Sequence, residues 1–386
     1  MKKILIIHNK YRNIGGEDTS VANEVNFLKD FYEIEILYFE NNITNFISQF
    51  FYFVKGSNNK SKKIIGKKID EFKPDLVYVH NTWFKASVSI FDELKNRKIQ
   101  TIVKLHNFRY YCSRNFLQIN HIRNKESCAA CGMKFKKTKI FNKYFEESLI
   151  KSFFLTIYSK KLIKKLNYEN VKVVVLTDFH KQFIQSLNII KNEINIVPNF
   201  LQTFEKPKKQ NSELGENYII YAGRISKEKG LAELVDAFNK SDLNGVTLKI
   251  YGEGPLNLNY FVNEGDKKIE IFDVVSNDEI KKIISNSLAV ITTTKLYEGQ
   301  PTLLCEASAA NIVSIFPRTG GIEEFFPLNN KFSYEQFNYN DLIKKLELLN
   351  NLKLVNQQAD LNNAFIKEKL SKERVLKTLE KVFENG

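Results

Sequence analysis

Residues 218–230 read YIIYAGRISKEKG, an aromatic and β-branched run that stops at Gly223 and is followed by Arg224, Lys229 and Gly230. A short apolar run bounded by glycine reads as a buried strand, and the residues beyond Gly230 have the apolar spacing of a helix. The alternation extends outward in both directions. Towards the C terminus, further strand candidates lie at 247–251, 269–272, 289–293 and 312–316; towards the N terminus a separate series occupies 3–8, 34–39, 75–80, 101–106, 171–177 and 194–197. Strands alternating with helical segments predict parallel sheets assembled from βαβ units. Between the two series, residues 202–216 (QTFEKPKKQNSELGE) are polar, contain Pro207 and lack an apolar period, which marks a linker. The expected fold is α/β, with two doubly wound domains at 1–201 and 217–386, the linker at 202–216 and a cleft between the domains. The last helix is expected to pack back on the N-terminal domain.

Open parallel sheets bind ligands at the carboxyl ends of their strands, where helix N-termini favour phosphate. In the second domain, Arg224 and Lys229 lie where both can converge on one anion, a planar fork and a mobile point charge suited to a diphosphate whose charge grows as it leaves. A solvated loop with ordinary surface cations is the alternative. Further on, the run 289–293 leads into Thr294-Lys295-Leu296-Tyr297-Glu298-Gly299-Gln300-Pro301-Thr302-Leu303-Leu304-Cys305-Glu306. Proline suits a first helical turn, so Glu298 and Glu306 flank one helix N-terminus. The amides of Gly299 to Thr302 suit a phosphate or sugar hydroxyls, Glu298 could accept from a sugar hydroxyl, and Glu306 could hold the two hydroxyls of a ribose. Helix capping is the plain alternative for Glu298; an acid directly after Leu303-Leu304-Cys305 needs a polar partner. In the first domain, Gly15, Gly16 and Glu17 follow the first strand, where a phosphate-approaching loop and a simple tight turn are equally served, with a helix expected from about Asp18. No GxGxxG is present, which weighs against a dinucleotide.

With 386 residues, 43% hydrophobic and 26% charged, the chain can bury two cores, and a disordered tail or a disulfide miniprotein is excluded. Four cysteines are too few for a disulfide framework. The opening residues have only Ile4 to Ile7 as an apolar run, and no stretch approaches the ~18–20 residues of a spanning helix, so the chain is expected to be soluble and cytoplasmic. The charge of +14 is unevenly divided: residues 1–200 carry 34 basic and 18 acidic side chains, residues 201–386 carry 24 and 26. A basic first half suits nucleic acid, or equally an anionic phospholipid surface or a lipid-linked diphosphate.

Several motifs in order resemble glycosyltransferase family 4, retaining nucleotide-sugar enzymes of the GT-B fold with two Rossmann-like domains. Tyr297 to Glu306 is similar to the family's Glu-x7-Glu element, and Gly223-Arg224 with Lys229-Gly230 is similar to its donor-diphosphate motif. Val197-Pro198-Asn199 resembles its interdomain signature, and Tyr251-Gly252-Glu253-Gly254-Pro255 its glycine turn. The resemblance implies transfer of a sugar from a nucleoside diphosphate sugar, UDP-linked in preference to GDP-linked, to a hydroxyl of a lipid-linked glycan, with retention at the anomeric carbon. It implies donor contacts from Gly223, Gly252, Gly254, Gly299, Gln300, Pro301, Thr302 and Glu306. Arg224 and Lys229 neutralise the leaving diphosphate, Glu298 orients the sugar, and the departing phosphate helps deprotonate the acceptor. A covalent role for Glu298 is the alternative. Because two cations occupy the diphosphate position, no cofactor and no divalent metal are expected, and EDTA should leave the rate unchanged.

Leu105-His106-Asn107-Phe108-Arg109, with Cys112 and Cys128-Ala129-Ala130-Cys131, resembles a subgroup acting in assembly of bacterial capsule, lipopolysaccharide or exopolysaccharide. The likeness places His106 near the donor sugar, as a hydrogen-bonding imidazole or as a stabiliser of positive charge; a structural histidine is the alternative. Cys112, Cys128, Cys131 and His121 could hold zinc, but a reduced structural loop is favoured. Phe272-Asp273-Val274 departs from the glycine the family often has beside the base. The lysine-rich segments 55–73 and 134–165 fit solvated helix faces; in a half used for the acceptor they also fit docking on the anionic cytoplasmic face of the inner membrane, with Lys60 and Lys62 contributing. A nucleotide-sugar 2-epimerase of the same architecture and a basic nucleic-acid-binding protein are the competing readings. Against the latter, the aromatics form no recognisable RNA or DNA motif, so no nucleic-acid partner is expected.

Overall fold

The computed structural model describes residues 1–10, 16–40, 58–83, 85–108, 128–130, 149–201, 217–258 and 268–384. The linker, Gly15, Cys112, His121 and Cys131 lie outside the described residues. The chain divides into two compact units, Met1–Phe200 with Lys372–Gly386, and Leu201–Ser371.

The N-terminal unit is built on six parallel strands, β1 (Lys3–Lys10), β2 (Glu33–Glu40), β3 (Leu76–Asn81), β4 (Gln100–Leu105), β5 (Val171–Val175) and β6 (Ile194–Ile196), in the order β2-β1-β3-β4-β5-β6. The central strands are covered on both faces, which is why β1 and β3 read as unbroken apolar runs rather than alternating ones. The crossover helices are α1 (Gly16–Leu28), α2 (Asn59–Phe72), α3 (Ile90–Asn96), α4 (Leu149–Leu166) and α5 (Asp178–Ser186). α1 begins two residues earlier than the sequence suggested, so Gly16 opens the helix instead of turning ahead of it. On one face Ile4, Ile6, Leu76, Tyr78 and Ile102 pack with Val21, Val25 and Leu28 of α1.

That core is completed from the far end of the chain. The last helix, α11 in order along the chain (Lys372–Glu384), contributes Val375, Leu379, Val382 and Phe383, an apolar stripe at helical spacing. Lys2 Nζ donates to the Phe383 carbonyl at 2.8 Å and Lys172 Nζ to that of Val382 at 3.0 Å, cations at the end where the helix dipole favours them. One charged pair interrupts the apolar interior: Lys104, next to the end of β4 and wholly buried, donates to both carboxylate oxygens of Glu24 at 2.9 Å, and Tyr78 donates to the same carboxylate at 3.0 Å. Each charge is paired and hydrogen-bonded, the condition on which burial is tolerable.

The C-terminal unit has a second parallel sheet, β7 (Asn217–Ala222), β8 (Val246–Tyr251), β9 (Ile269–Phe272), β10 (Ala289–Ile291), β11 (Val313–Arg318) and β12 (Ser333–Glu335), ordered β12-β11-β10-β7-β8-β9. Its helices are α6 (Leu231–Lys240), α7 (Asn277–Ser285), α8 (Thr302–Ala309), α9 (Tyr339–Glu347) and α10 (Leu352–Lys369). Separate apolar clusters fill the two faces, Ile219, Leu248, Ile291 and Phe238 on one and Ile220, Val290, Leu304 and Phe316 on the other. Successive residues of β7 and β10 thus serve opposite layers. Among the described residues, no helix is long and apolar enough to cross a membrane.

Candidate active site

In the C-terminal sheet the chain order reverses between β7 and β10: β8 and β9 lie to one side, β11 and β12 to the other. A crevice at the carboxyl ends of the strands follows at that switch point. The loops leaving β7 and β10 are drawn together by backbone contacts. Lys295 N–H donates to the Glu228 carbonyl at 2.9 Å, and Thr293 Oγ1 lies 2.9 Å from the carbonyl oxygens of both Lys229 and Gly230. Gly230 is at φ 70°, and a Cβ there would lie 2.2 Å from the Thr293 carbonyl oxygen, so the approach needs glycine. The loop after β8 is equally close: Gly223 N–H donates to Tyr251 O at 3.0 Å, and a Cβ on Gly252 would meet the Gly223 carbonyl oxygen at 1.9 Å. Gly254 packs in the same way on Ile225.

The structure brings Lys229 and Glu298 together as an ion pair, both side chains about one-third exposed, with Thr294 Oγ1 donating to the same Glu298 oxygen at 3.1 Å. Glu298 is therefore held by side chains and does not cap α8. Arg224 is exposed, and its carbonyl accepts from Tyr221 OH at 2.9 Å; its guanidinium forms no ion pair among the described residues and is not joined to Lys229 or Glu298. Gln300 is buried and hydrogen-bonds the Cys305 thiol, while Pro301 and Thr302 sit half-buried at the start of α8. Glu306, only 6% exposed, accepts no hydrogen bond from any described residue; burial pushes its carboxyl up to about 7, with Lys281 opposing.

Helix starts in this unit fall into two sets. α7, α9 and α10 are capped by the side chains of Ser276, Asn338 and Asn351. α6 and α8 begin at Gly230 and Pro301 with no side-chain cap. The two uncapped helices are those that follow β7 and β10, so the amides that elsewhere are satisfied internally flank the crevice.

In the N-terminal unit the switch point lies between β1 and β3, and a pocket at the carboxyl ends of β3 and β4 is lined by Glu17, His80, Asn81, Thr82, His106, Asn107 and Tyr158 among others. Glu17 and His106, both singled out in the sequence, share it; Gly16 is exposed at the start of α1. The sequence reading missed two further histidines. His80 Nδ1 is 3.1 Å from His106 Nε2, and His8 Nε2 is 2.8 Å from Asp18 Oδ1. Burial lowers both His80 and His106 well below the ordinary histidine range; for His80, His106 and then Lys104 add to the effect, and for His106, Lys104 and then His8. Each histidine lies at or next to the end of an apolar strand, a signal the sequence contains. Of the cysteine cluster, Cys128 is buried.

Residues 202–369 match the family described as Glycosyl transferases group 1. The matched residues lie within the C-terminal unit. Solved structures similar over the full length share the fold. HepE from Anabaena, crystallised with UDP and glucose, is 13% identical over 100% of both chains with a TM-score of 0.68. Sucrose-phosphate synthase from Thermosynechococcus elongatus is 11% identical, covers 100% of this chain and 99% of that one, and has a TM-score of 0.72. TarM from S. aureus, crystallised with fondaparinux, α-GlcNAc-glycerol and UDP, is 17% identical over 100% of both chains at a TM-score of 0.65. No curated protein sequence matches the chain at a significant level. The architecture is thus the GT-B pair of Rossmann-like domains, and the uncapped helix starts of the C-terminal unit belong to its two switch-point loops.

Proposed function

We propose that the protein transfers a sugar, with retention of anomeric configuration, from a nucleoside diphosphate sugar to a hydroxyl of a lipid-linked glycan in bacterial surface polysaccharide assembly. The observation that carries this reading is the cluster at the β7/β10 switch point of the C-terminal unit. Two uncapped helix N-termini and the Lys229–Glu298 pair stand on the loops that follow β7 and β10; Arg224 lies on the first of these loops with no ion pair, and Glu306 is buried in α8 with no hydrogen-bond donor, among the described residues. A diphosphate supplies the negative charge that the amides and Arg224 lack, and competes with Glu298 for Lys229. A ribose supplies the hydroxyl donors that Glu306 lacks. Glu298, held by Thr294 and Lys229, accepts from a hydroxyl of the transferred sugar, and charge accumulating on the leaving diphosphate is stabilised by the two cations. The UDP bound by HepE and TarM supports uridine as the base.

In the N-terminal unit, His106 hydrogen-bonds a substrate hydroxyl. The exposed face of α2, where Ile64 is 48% exposed among exposed Lys60, Lys63 and Lys67, docks on anionic lipid, each cation contributing about 1 kcal/mol before screening. Flotation with anionic vesicles should fall in a Lys60, Lys63 and Lys67→Glu variant while turnover of a soluble acceptor survives; equal retention by neutral vesicles would remove the membrane surface from the reading.

The central test is a thermal-shift panel of sugar nucleotides, followed by incubation of the stabilising donor with and without glycan acceptors. Stabilisation by one nucleoside diphosphate sugar and acceptor-dependent release of its diphosphate are expected, unaffected by EDTA. Isomerised donor formed without acceptor would instead identify an epimerase.

A further inference from the structure

His80 sits at an irregularity in the sheet. Ile7 of β1 faces Val79, but His8 faces Asn81, so His80 is the extra residue of a β-bulge, a feature that re-aims a side chain. Its ring rests on Tyr78, with centroids 4.4 Å apart, and Tyr78 is fixed through its hydroxyl to Glu24. On the other side it meets His106, Nδ1 to Nε2 at 3.1 Å. One of these two nitrogens carries the hydrogen and the other is bare.

Two neutral arrangements satisfy that bond. If His106 donated from Nε2, His80 would carry its own hydrogen on Nε2, an atom that is buried and has no hydrogen-bond partner. That leaves an N–H donor stranded in the interior, the rarer kind of unsatisfied group. If His80 donates from Nδ1, its buried Nε2 is left as a lone pair without a donor, and no N–H is stranded. Burial and the neighbouring Lys104 ammonium keep both rings neutral, so a doubly protonated ring does not enter.

We infer that His80 is a positioning residue: it donates from Nδ1 to His106 Nε2 and so fixes His106 as the Nδ1–H tautomer, which presents that N–H to the pocket as a donor. His106 is half-buried, its Nδ1 bonds to no described residue, and it shares the pocket with Glu17, Asn107 and Tyr158. The complementary ligand atom is an uncharged or anionic oxygen, such as a sugar hydroxyl acting as acceptor. Only the identity of that oxygen rests on the function proposed above. Of the two roles open to His106, the assignment selects hydrogen bonding and rejects stabilisation of positive charge.

The test uses the full chain labelled with ¹⁵N-histidine, whose five histidines are few enough to assign with His80 and His106 variants. Long-range ¹H–¹⁵N correlations distinguish the tautomers directly. His106 should show a hydrogen on Nδ1 and a bare Nε2. His80→Phe keeps a ring against Tyr78 but cannot donate; it should move His106 towards the Nε2–H tautomer and lower kcat/KM about tenfold. His80→Asn places an amide N–H where Nδ1–H was, and should restore the Nδ1–H signature and most of the rate. A wild-type His106 with its hydrogen on Nε2, or a His80→Phe protein with His106 unaltered, would overturn the assignment. An Nδ1–H signature in a protein that turns over no sugar nucleotide would uphold it and sink the glycosyltransferase reading instead.

Discussion

Lys229 is already neutralised by Glu298, whereas Arg224 forms no ion pair among the described residues, so under the proposed function a diphosphate would meet two different cations. It would have to draw Lys229 partly away from a carboxylate, but would take the Arg224 fork directly. Both charges act most strongly where negative charge builds up, so Arg224→Ala and Lys229→Ala should each lower kcat by on the order of 10²-fold at saturating donor. Near-wild-type turnover in both would abolish the diphosphate assignment. Glu306 gives a pH-dependent prediction. Its carboxyl is raised from 4.5 to about 7, so between those values the native chain retains a proton that the unfolded chain has released. Stability therefore falls as pH rises through that interval, and above it the full penalty of about 3 kcal/mol applies. Glu306→Gln should match the wild type near pH 4.5, exceed it by up to about 3 kcal/mol above pH 7 in urea unfolding, and bind donor more weakly. An unfolding free energy difference that does not change with pH would show that Glu306 is not the buried acid described.

Gly230 carries the junction between the Lys227–Lys229 3₁₀ turn and α6, and its close contact with Thr293 joins the β7 and β10 loops. Gly230→Ala should cost about 2–3 kcal/mol or more and lower turnover with it, read from the denaturant midpoint and kcat; an unchanged midpoint would mean the loops are not locked there. Most elements of this kind were legible because their cause is local. The residues 269–272 form β9, and Pro301 stands at the start of α8. β12 was not legible: Ser333-Tyr334-Glu335 has no apolar run, and it is a strand only because Phe316, Pro317 and Arg318 of β11 offer it a partner. Nor could the sequence expose the bulge at His80, which is a mismatch between two strands far apart in the sequence, Ile7 facing Val79 and His8 facing Asn81. His106 stood out from its motif, yet the atom that orients it comes from β3, and the Lys104–Glu24 pair hides inside what reads as a plain apolar strand.

At the scale of the molecule, the two compact units are not two continuous stretches of chain. The chain leaves the N-terminal unit at Phe200, builds the C-terminal unit, and returns to the first core with α11. Four side chains of α11, Val375, Leu379, Val382 and Phe383, are almost completely buried there, and Phe383 also meets Tyr32 and Tyr78 edge to face. At about 1.5–3 kcal/mol for each buried apolar side chain, the helix contributes roughly 6–12 kcal/mol. A domain of this size has a net stability of only about 5–15 kcal/mol, so losing α11 removes most or all of the margin. Residues 1–200 expressed alone should therefore lack a cooperative thermal transition and expose apolar surface to a fluorescent probe. The same residues joined through a short flexible linker to residues 372–386 should melt cooperatively, because the helix needs only its stripe, Lys2 and Lys172 to dock. If the isolated segment melted cooperatively at the temperature of the fused form, α11 would be a passive cover. If neither form folded, the N-terminal core would depend on the rest of the chain for more than this one helix.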